Sequence, residues 1–191
     1  MIGAITAGLY GTGVPPVTNS YESISTINVS TSVSSVTFSS IPSTYKHLQI
    51  RAMSRANTAG ERNNLFYLTY NGDTAANYSW HALDGNGASI YGEGAGSQSI
   101  ARTGQSTAAA ALSGNMGVAI IDILDYASTD KYKTLKSLTG FDNNGAGELY
   151  FNSTNWRSLS AVTSITLNAF QGNGASSFVS PSQFALYGIK G

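Results

Sequence analysis

His47 and His81 are the only imidazoles in this 191-residue chain, and it contains no cysteine. A catalytic triad needs a nucleophile held against a base. Neither histidine is accompanied by a Gly-x-Ser-x-Gly elbow, and both fall in expected strands, where a surface or satisfied histidine is the plainer reading. The missing thiols exclude a disulfide framework, a thiolate nucleophile and a Cys-ligated zinc or iron–sulfur centre. Two neighbouring carboxylates could hydrolyse glycosides, and Asp122 and Asp125 are the nearest pair. Their odd separation puts them on opposite faces of one strand, so a strand-end aspartate bonded to backbone or to Lys131 is expected instead. Asp84-Gly85-Asn86-Gly87 and the stretch from Asp142 to Glu148 offer oxygen donors for calcium, yet neither follows the EF-hand order of ligands; both are read as turns. The glycines of 92–96 lack the preceding strand, following helix and lysine of a phosphate-binding loop. The expectation is no catalytic residue, no metal and no cofactor.

Aromatic residues are the richer signal. Tyr10, Tyr67, Tyr70, Tyr78, Trp80, Tyr91, Tyr150 and Trp156 could fill a β core, anchor a protein interface or stack against sugars. Tyr78, Trp80, Tyr91 and Trp156 are the candidate interface aromatics. Asn28, Asn77 and Asn152 open Asn-x-Ser/Thr sequons, which matter only in a secretory pathway.

The elements that would carry these residues are strands. Residues 46–54 alternate strictly, with Leu48, Ile50 and Ala52 on one face and His47, Gln49, Arg51 and Met53 on the other, the period of a half-buried strand. Residues 65–70 are apolar or aromatic on both faces, and 118–126 are apolar enough for a central strand. Further strands are expected at 21–29, 33–39, 78–83, 132–139, 148–152, 162–170 and 184–189. Asn71-Gly72, the turn at 84–87, Asp142 to Gly145 and Gly172-Asn173-Gly174 separate them with residues that accept positive φ. No segment makes a convincing amphipathic helix; 107–112 has four alanines but only about a turn and a half of length. The stretch 92–113, rich in Gly, Ser, Ala and Thr, reads as a surface excursion. About ten short strands with closely spaced turns predict an all-β fold, an antiparallel β-sandwich of jelly-roll type, over residues 21–191.

Only 10% of residues are charged and the net charge is zero, against roughly 25% charged in an ordinary soluble domain. A general grip on nucleic acid or on an anionic membrane is therefore not expected. The 27 Ser, 18 Thr and 15 Asn keep such a surface soluble without charge, and 41% hydrophobic residues argue for a packed core over disorder. The first basic residue is Lys46 and the apolar run 118–121 stops at Asp122, so neither a basic signal-peptide start nor a span of ~18 apolar residues is present. Synthesis and folding in a cytoplasm are expected.

Residues 1–20 differ from the rest: they carry no charge, four glycines and the pair Pro15-Pro16. That spacing suits neither helix nor regular strand, so an extended N-terminal arm is expected, packed on its own domain or clamped to a neighbouring subunit. Its contact residues are Ile2, Ile5, Leu9, Tyr10, Val14, Pro15 and Pro16.

An uncharged Gly/Pro arm, Tyr21-Glu22-Ser23-Ile24, the run from Val36-Thr37-Phe38 through Ile41-Pro42-Ser43-Thr44-Tyr45-Lys46-His47 to Arg51, and the terminal Phe184-Ala185-Leu186-Tyr187-Gly188-Ile189 together resemble the small virion structural proteins of tailed bacteriophages, notably of aquatic hosts. The similarity covers both ends of the chain and is patchy between them. It implies a non-enzymatic capsid cement or decoration protein, or a tail-fibre or baseplate protein, commonly trimeric, with no catalytic residues to carry over. As a cement protein it would sit on the outer capsid surface, its arm clamping the major capsid protein or copies of itself. As a tail adhesin it would bind host-surface glycan through exposed aromatics, Trp80 or Trp156 among them. A secreted glycan-active enzyme is the third reading, and no acid–base constellation supports it.

Overall fold

The computed structural model of the chain describes residues 20–171 and 174–191. Ile2, Ile5, Leu9, Tyr10, Val14, Pro15 and Pro16 of the expected arm lie outside them. The described residues form β1 (Tyr21–Asn28), β2 (Ser35–Phe38), β3 (His47–Ser54), β4 (Asn63–Tyr70), β5 (Tyr78–Gly85), β6 (Ile90–Gln98), β7 (Ala101–Thr107), β8 (Gly117–Leu124), β9 (Lys133–Phe141), β10 (Glu148–Trp156), β11 (Ile165–Gln171), β12 (Gly174–Ala175) and β13 (Gln183–Ile189). They make two antiparallel sheets, the β-sandwich that the pattern of short strands predicts. One has eight strands in the order β1-β13-β3-β8-β9-β10-β5-β6; the other runs β12-β11-β4-β7, with β2 also paired to β11.

Alternation decides which residues meet between the sheets. Leu48, Ile50 and Ala52 of β3, Ala119, Ile121 and Ile123 of β8, and Phe184 and Leu186 of β13 point inward and are buried. Phe66 and Leu68 of β4, Ile165 and Leu167 of β11, and Val36 and Phe38 of β2 oppose them in the same core. At one end Tyr70, Tyr78 and Trp156 form an aromatic wall, with Trp156 5.2 Å from Tyr70 and nearly parallel to Tyr78 at 6.4 Å. The Trp156 indole Nε1 donates to Asp73 Oδ2 at 2.7 Å, so its one polar atom is satisfied.

The segment 92–113 is not the expected surface excursion. It contributes β6 and β7, and all seven residues of β7 are buried. β7 ends its sheet, with no strand beside it over residues 102–105 on the side away from β4. Side chains of the facing sheet take up its main-chain groups instead. Ser137 Oγ donates to the Thr103 carbonyl at 2.5 Å, Thr154 Oγ1 to the Arg102 carbonyl at 2.8 Å, and the Gln105 amide donates to Thr139 Oγ1 at 3.1 Å. Only small or hydroxylated residues permit this approach: a Cβ on Gly104, whose φ is +143°, would collide with Thr139, and one on Gly117 would lie 2.7 Å from Ser106 Cα. The alanines after β7 do not make a helix, because the Arg55 guanidinium collects the carbonyls of Ala109, Ala111, Leu112 and Asn115 at 2.9–3.2 Å.

Candidate functional site

Among the described residues, two places depart from an ordinary polar surface. The first is the outer face of the eight-stranded sheet. Register aligns Arg51, Ile120, Leu138, Phe151 and Leu83 in one row across β3, β8, β9, β10 and β5. The next row is Met53, Val118, Gly140, Leu149 and Gly85. Each apolar side chain in these rows is exposed, from 45% for Ile120 to 63% for Leu149, and Ile90 on the edge strand reaches 76%. Gly140 and Gly85 leave the second row two side chains short. Val118, Ile120, Leu138, Phe141 and Leu149 border the resulting depression of about 580 Å³, closed at one end by the 142–148 turn. A contiguous apolar surface of this kind marks a place where another surface binds.

A polar row bounds this face. Gln49 Nε2 donates to Asp122 Oδ1 at 2.8 Å, and Arg51 Nε donates to Gln49 Oε1 at 2.8 Å. Asp125 lies beyond the end of β8 and is gripped by Lys131 at 2.7 Å and Lys46 at 2.9 Å. The hydrogen bond from Lys131, then that from Lys46, holds its carboxyl down at about 2. Asp122 and Asp125 are thus separately engaged as surface groups. His47 Nδ1 accepts the Asp125 amide at 3.0 Å, and the His81 ring covers Gly94. The two candidate calcium loops behave as turns: Asn86 Oδ1 accepts the amides of Ala88 and Ser89, and Asp142 Oδ1 that of Gly145.

The four candidate interface aromatics separate. Tyr78 and Trp156 are in the core, 0% and 2% exposed, which takes them off the surface. Their rings complete the wall against Tyr70, and the Tyr78 hydroxyl accepts the Tyr70 amide and donates to the Asp73 carbonyl. Burial pushes that hydroxyl's pKa up to about 12. Trp80 and Tyr91 instead border the second site.

This second site is a cleft between β4, β7 and β10, with β5 and β6 following β10 at the edge of the larger sheet. Arg102 of β7 lies at its base and is 5% exposed. Its guanidinium lies 4.9 Å from the Trp80 ring centre and 5.2 Å from that of Tyr150, and it pairs with Glu93 of β6. Tyr91 shares the face of Asp84 and Tyr150 through register and is half exposed. Asn63, Leu65, Arg102, Gln105, Glu148 and Tyr150 line a space of about 250 Å³, and Asn63 Nδ2 donates to Glu148 Oε2 at 2.8 Å. Burial first, then the charges of Asp84 and Glu148, pushes the Tyr150 hydroxyl up, so it stays protonated. Two buried polar atoms here lack a partner, Arg102 Nε and Gln105 Oε1.

Sequence reasoning missed Glu93, Arg102 and Gln105 because they sit in the segment read as an excursion. A single Arg between Thr103 and Ala101 in an otherwise uncharged run was the one local signal. Among the described residues no cluster of three or more metal-ligating side chains occurs. No protein-family model, curated protein or solved structure matches the chain.

Proposed function

We propose that the protein is a non-enzymatic structural component of a tailed-phage virion, a cement or decoration protein that binds the outer capsid shell and ties its subunits together. The observation that carries this reading is the exposed apolar face across β3, β8, β9, β10 and β5. Seven large apolar side chains, Met53, Leu83, Val118, Ile120, Leu138, Leu149 and Phe151, stand there in register without an intervening charge. Covering such a face is favourable by about 25 cal/mol per Å² of apolar surface, and contacts available only in the assembled state stabilise that state by mass action. On this reading the face meets the major capsid protein or a second copy of the chain, in a trimer, while residues 1–20 clamp a neighbour. The chain changes sheet at each step from β1 to β5, which interlocks the two layers and suits a component that must stay folded outside a cell.

The tail-adhesin alternative asks for an exposed tryptophan. Trp156 is in the core and Trp80 carries the Arg102 guanidinium, so that alternative rests on the cleft rather than on a free ring. Immunogold labelling of intact particles from an infected-host lysate, with an antibody against residues 21–191, tests the reading. Label spread over the head is the expected result. Label confined to the tail, or bare particles despite detectable protein, would overturn it.

A further inference from the structure

We infer that the surface covering the apolar face is a second copy of the chain, packed face to face about a two-fold axis along the seam between β8 and β9. The inference rests on the assembly reading, in which another surface covers this face, and it names that surface.

A two-fold contact requires a patch that is complementary to itself. The β8–β9 seam is the middle of the eight-stranded sheet, with β3 and β13 on one side and β10 and β5 on the other. A two-fold along it lays β8 of one copy over β9 of the other and β3 over β10, so residues of one registered row meet across the axis. Ile120 then meets Leu138 of the second copy, and Val118, 52% exposed, enters the gap over Gly140. One strand further out, Met53 meets Leu149, and Arg51 meets the Phe151 ring as a cation over an aromatic face. Each contact is made twice. The two-fold also preserves the hand of the sheet twist, so the two faces follow one another.

Charge fixes the position of the axis. In the two apolar rows and the polar row beside them, the Asp, Glu, Lys and Arg side chains are Arg51, Asp122 and Lys136, and Asp122 is in register with Lys136. About the seam, each Asp122 meets Lys136 of the second copy. Lys136 is exposed and makes no ion pair within its own chain among the described residues. An axis half a strand spacing away, on β8 or on β9, would oppose Asp122 or Lys136 to itself, and like charges opposed across an interface cost affinity. An isologous contact joins copies in twos, so it is separate from any three-fold contact. It also makes attachment to a shell bivalent, so losing it loosens retention.

The test is sedimentation-velocity ultracentrifugation of the full chain over a concentration series, beside charge-reversed variants. A monomer–dimer equilibrium is expected. Asp122→Lys and Lys136→Asp should each weaken self-association by about tenfold or more, because each opposes like charges twice in its own dimer. An equimolar mixture of the two should regain pairing as a heterodimer, since both contacts across the axis are then between opposite charges. Ile120→Lys, which faces Leu138 of the second copy, should stay monomeric with the melting temperature of the parent, and it carries the test where a charge reversal fails to fold. A full chain that remains monomeric, reversals that leave association unchanged, a mixture that does not pair, or an Ile120→Lys chain that dimerises as the parent does would overturn the inference. Protein that pellets with stripped phage heads yet never pairs would overturn the inference alone. Protein that pairs by this charge rule yet never pellets would overturn the assembly reading alone.

Discussion

A hydroxyl buried without a partner costs more than no hydroxyl at all, and the aromatic wall contains both cases side by side. Tyr70 OH is fully buried and unpaired, whereas Tyr78 OH accepts the Tyr70 amide and donates to the Asp73 carbonyl. Tyr70→Phe should therefore leave stability unchanged or raise it, while Tyr78→Phe should lose about 1–3 kcal/mol in urea melts. Trp156→Ala should lose about 3–5 kcal/mol by opening a cavity between the two tyrosines. At the surface, Asp125 has its folded pKa depressed to about 2 by Lys131 and Lys46. Its contribution is complete above the ordinary carboxylate range, near pH 4, and is lost as pH falls through about 2. Asp125→Asn should cost about 1 kcal/mol or less at neutral pH once solvent screening is allowed for, and the difference from wild type should shrink as pH falls from about 4 and vanish only below about 2.

At the scale of elements, β7 is the strand on which the sandwich closes. An edge strand normally exposes unpaired main-chain groups, and here hydroxyls from β9 and β10 occupy them. Gly104→Ala places a methyl into Thr139 at a backbone angle that only glycine adopts freely, and should cost about 2–5 kcal/mol. Thr139→Ser should restore little of that loss, because the Oγ1 that accepts the Gln105 amide is itself the atom nearest the added methyl and stays in place, a near-additivity that a double-mutant cycle measures directly. The strands whose burial comes from apolar alternation were legible in the sequence: β3 and β13 lie within a residue of their expected bounds, and Leu48, Ile50 and Ala52 point inward as their spacing predicts. β6 and β7 were not, because their place is fixed by glycine clearance and cross-sheet hydroxyl bonds, neither of which leaves a hydropathy period. For the same reason the cleft built on Arg102 and Gln105 was hidden while Trp80 and Tyr91 at its border were visible.

The whole molecule combines a nearly uncharged surface with a broad apolar face. In strands 118–121 and 148–152 apolar residues occur on both faces; inward ones such as Ile121 and Tyr150 build the core, and outward ones such as Val118, Ile120 and Phe151 are left exposed. From the sequence, 118–126 reads as a central strand; its outward side chains lie exposed in the fold, and on the proposed function they are the ones a partner covers. Charge placed on this face should not disturb the interior, since Ile120 and Leu138 are about half exposed. The most direct measurement is co-sedimentation of the full chain with phage heads stripped of their decoration, comparing wild type with the double variant Ile120→Lys/Leu138→Lys. The account predicts that wild type pellets with the heads and that the double variant, with an unchanged circular dichroism spectrum and melting temperature, stays in the supernatant. Equal pelleting of both proteins would contradict it.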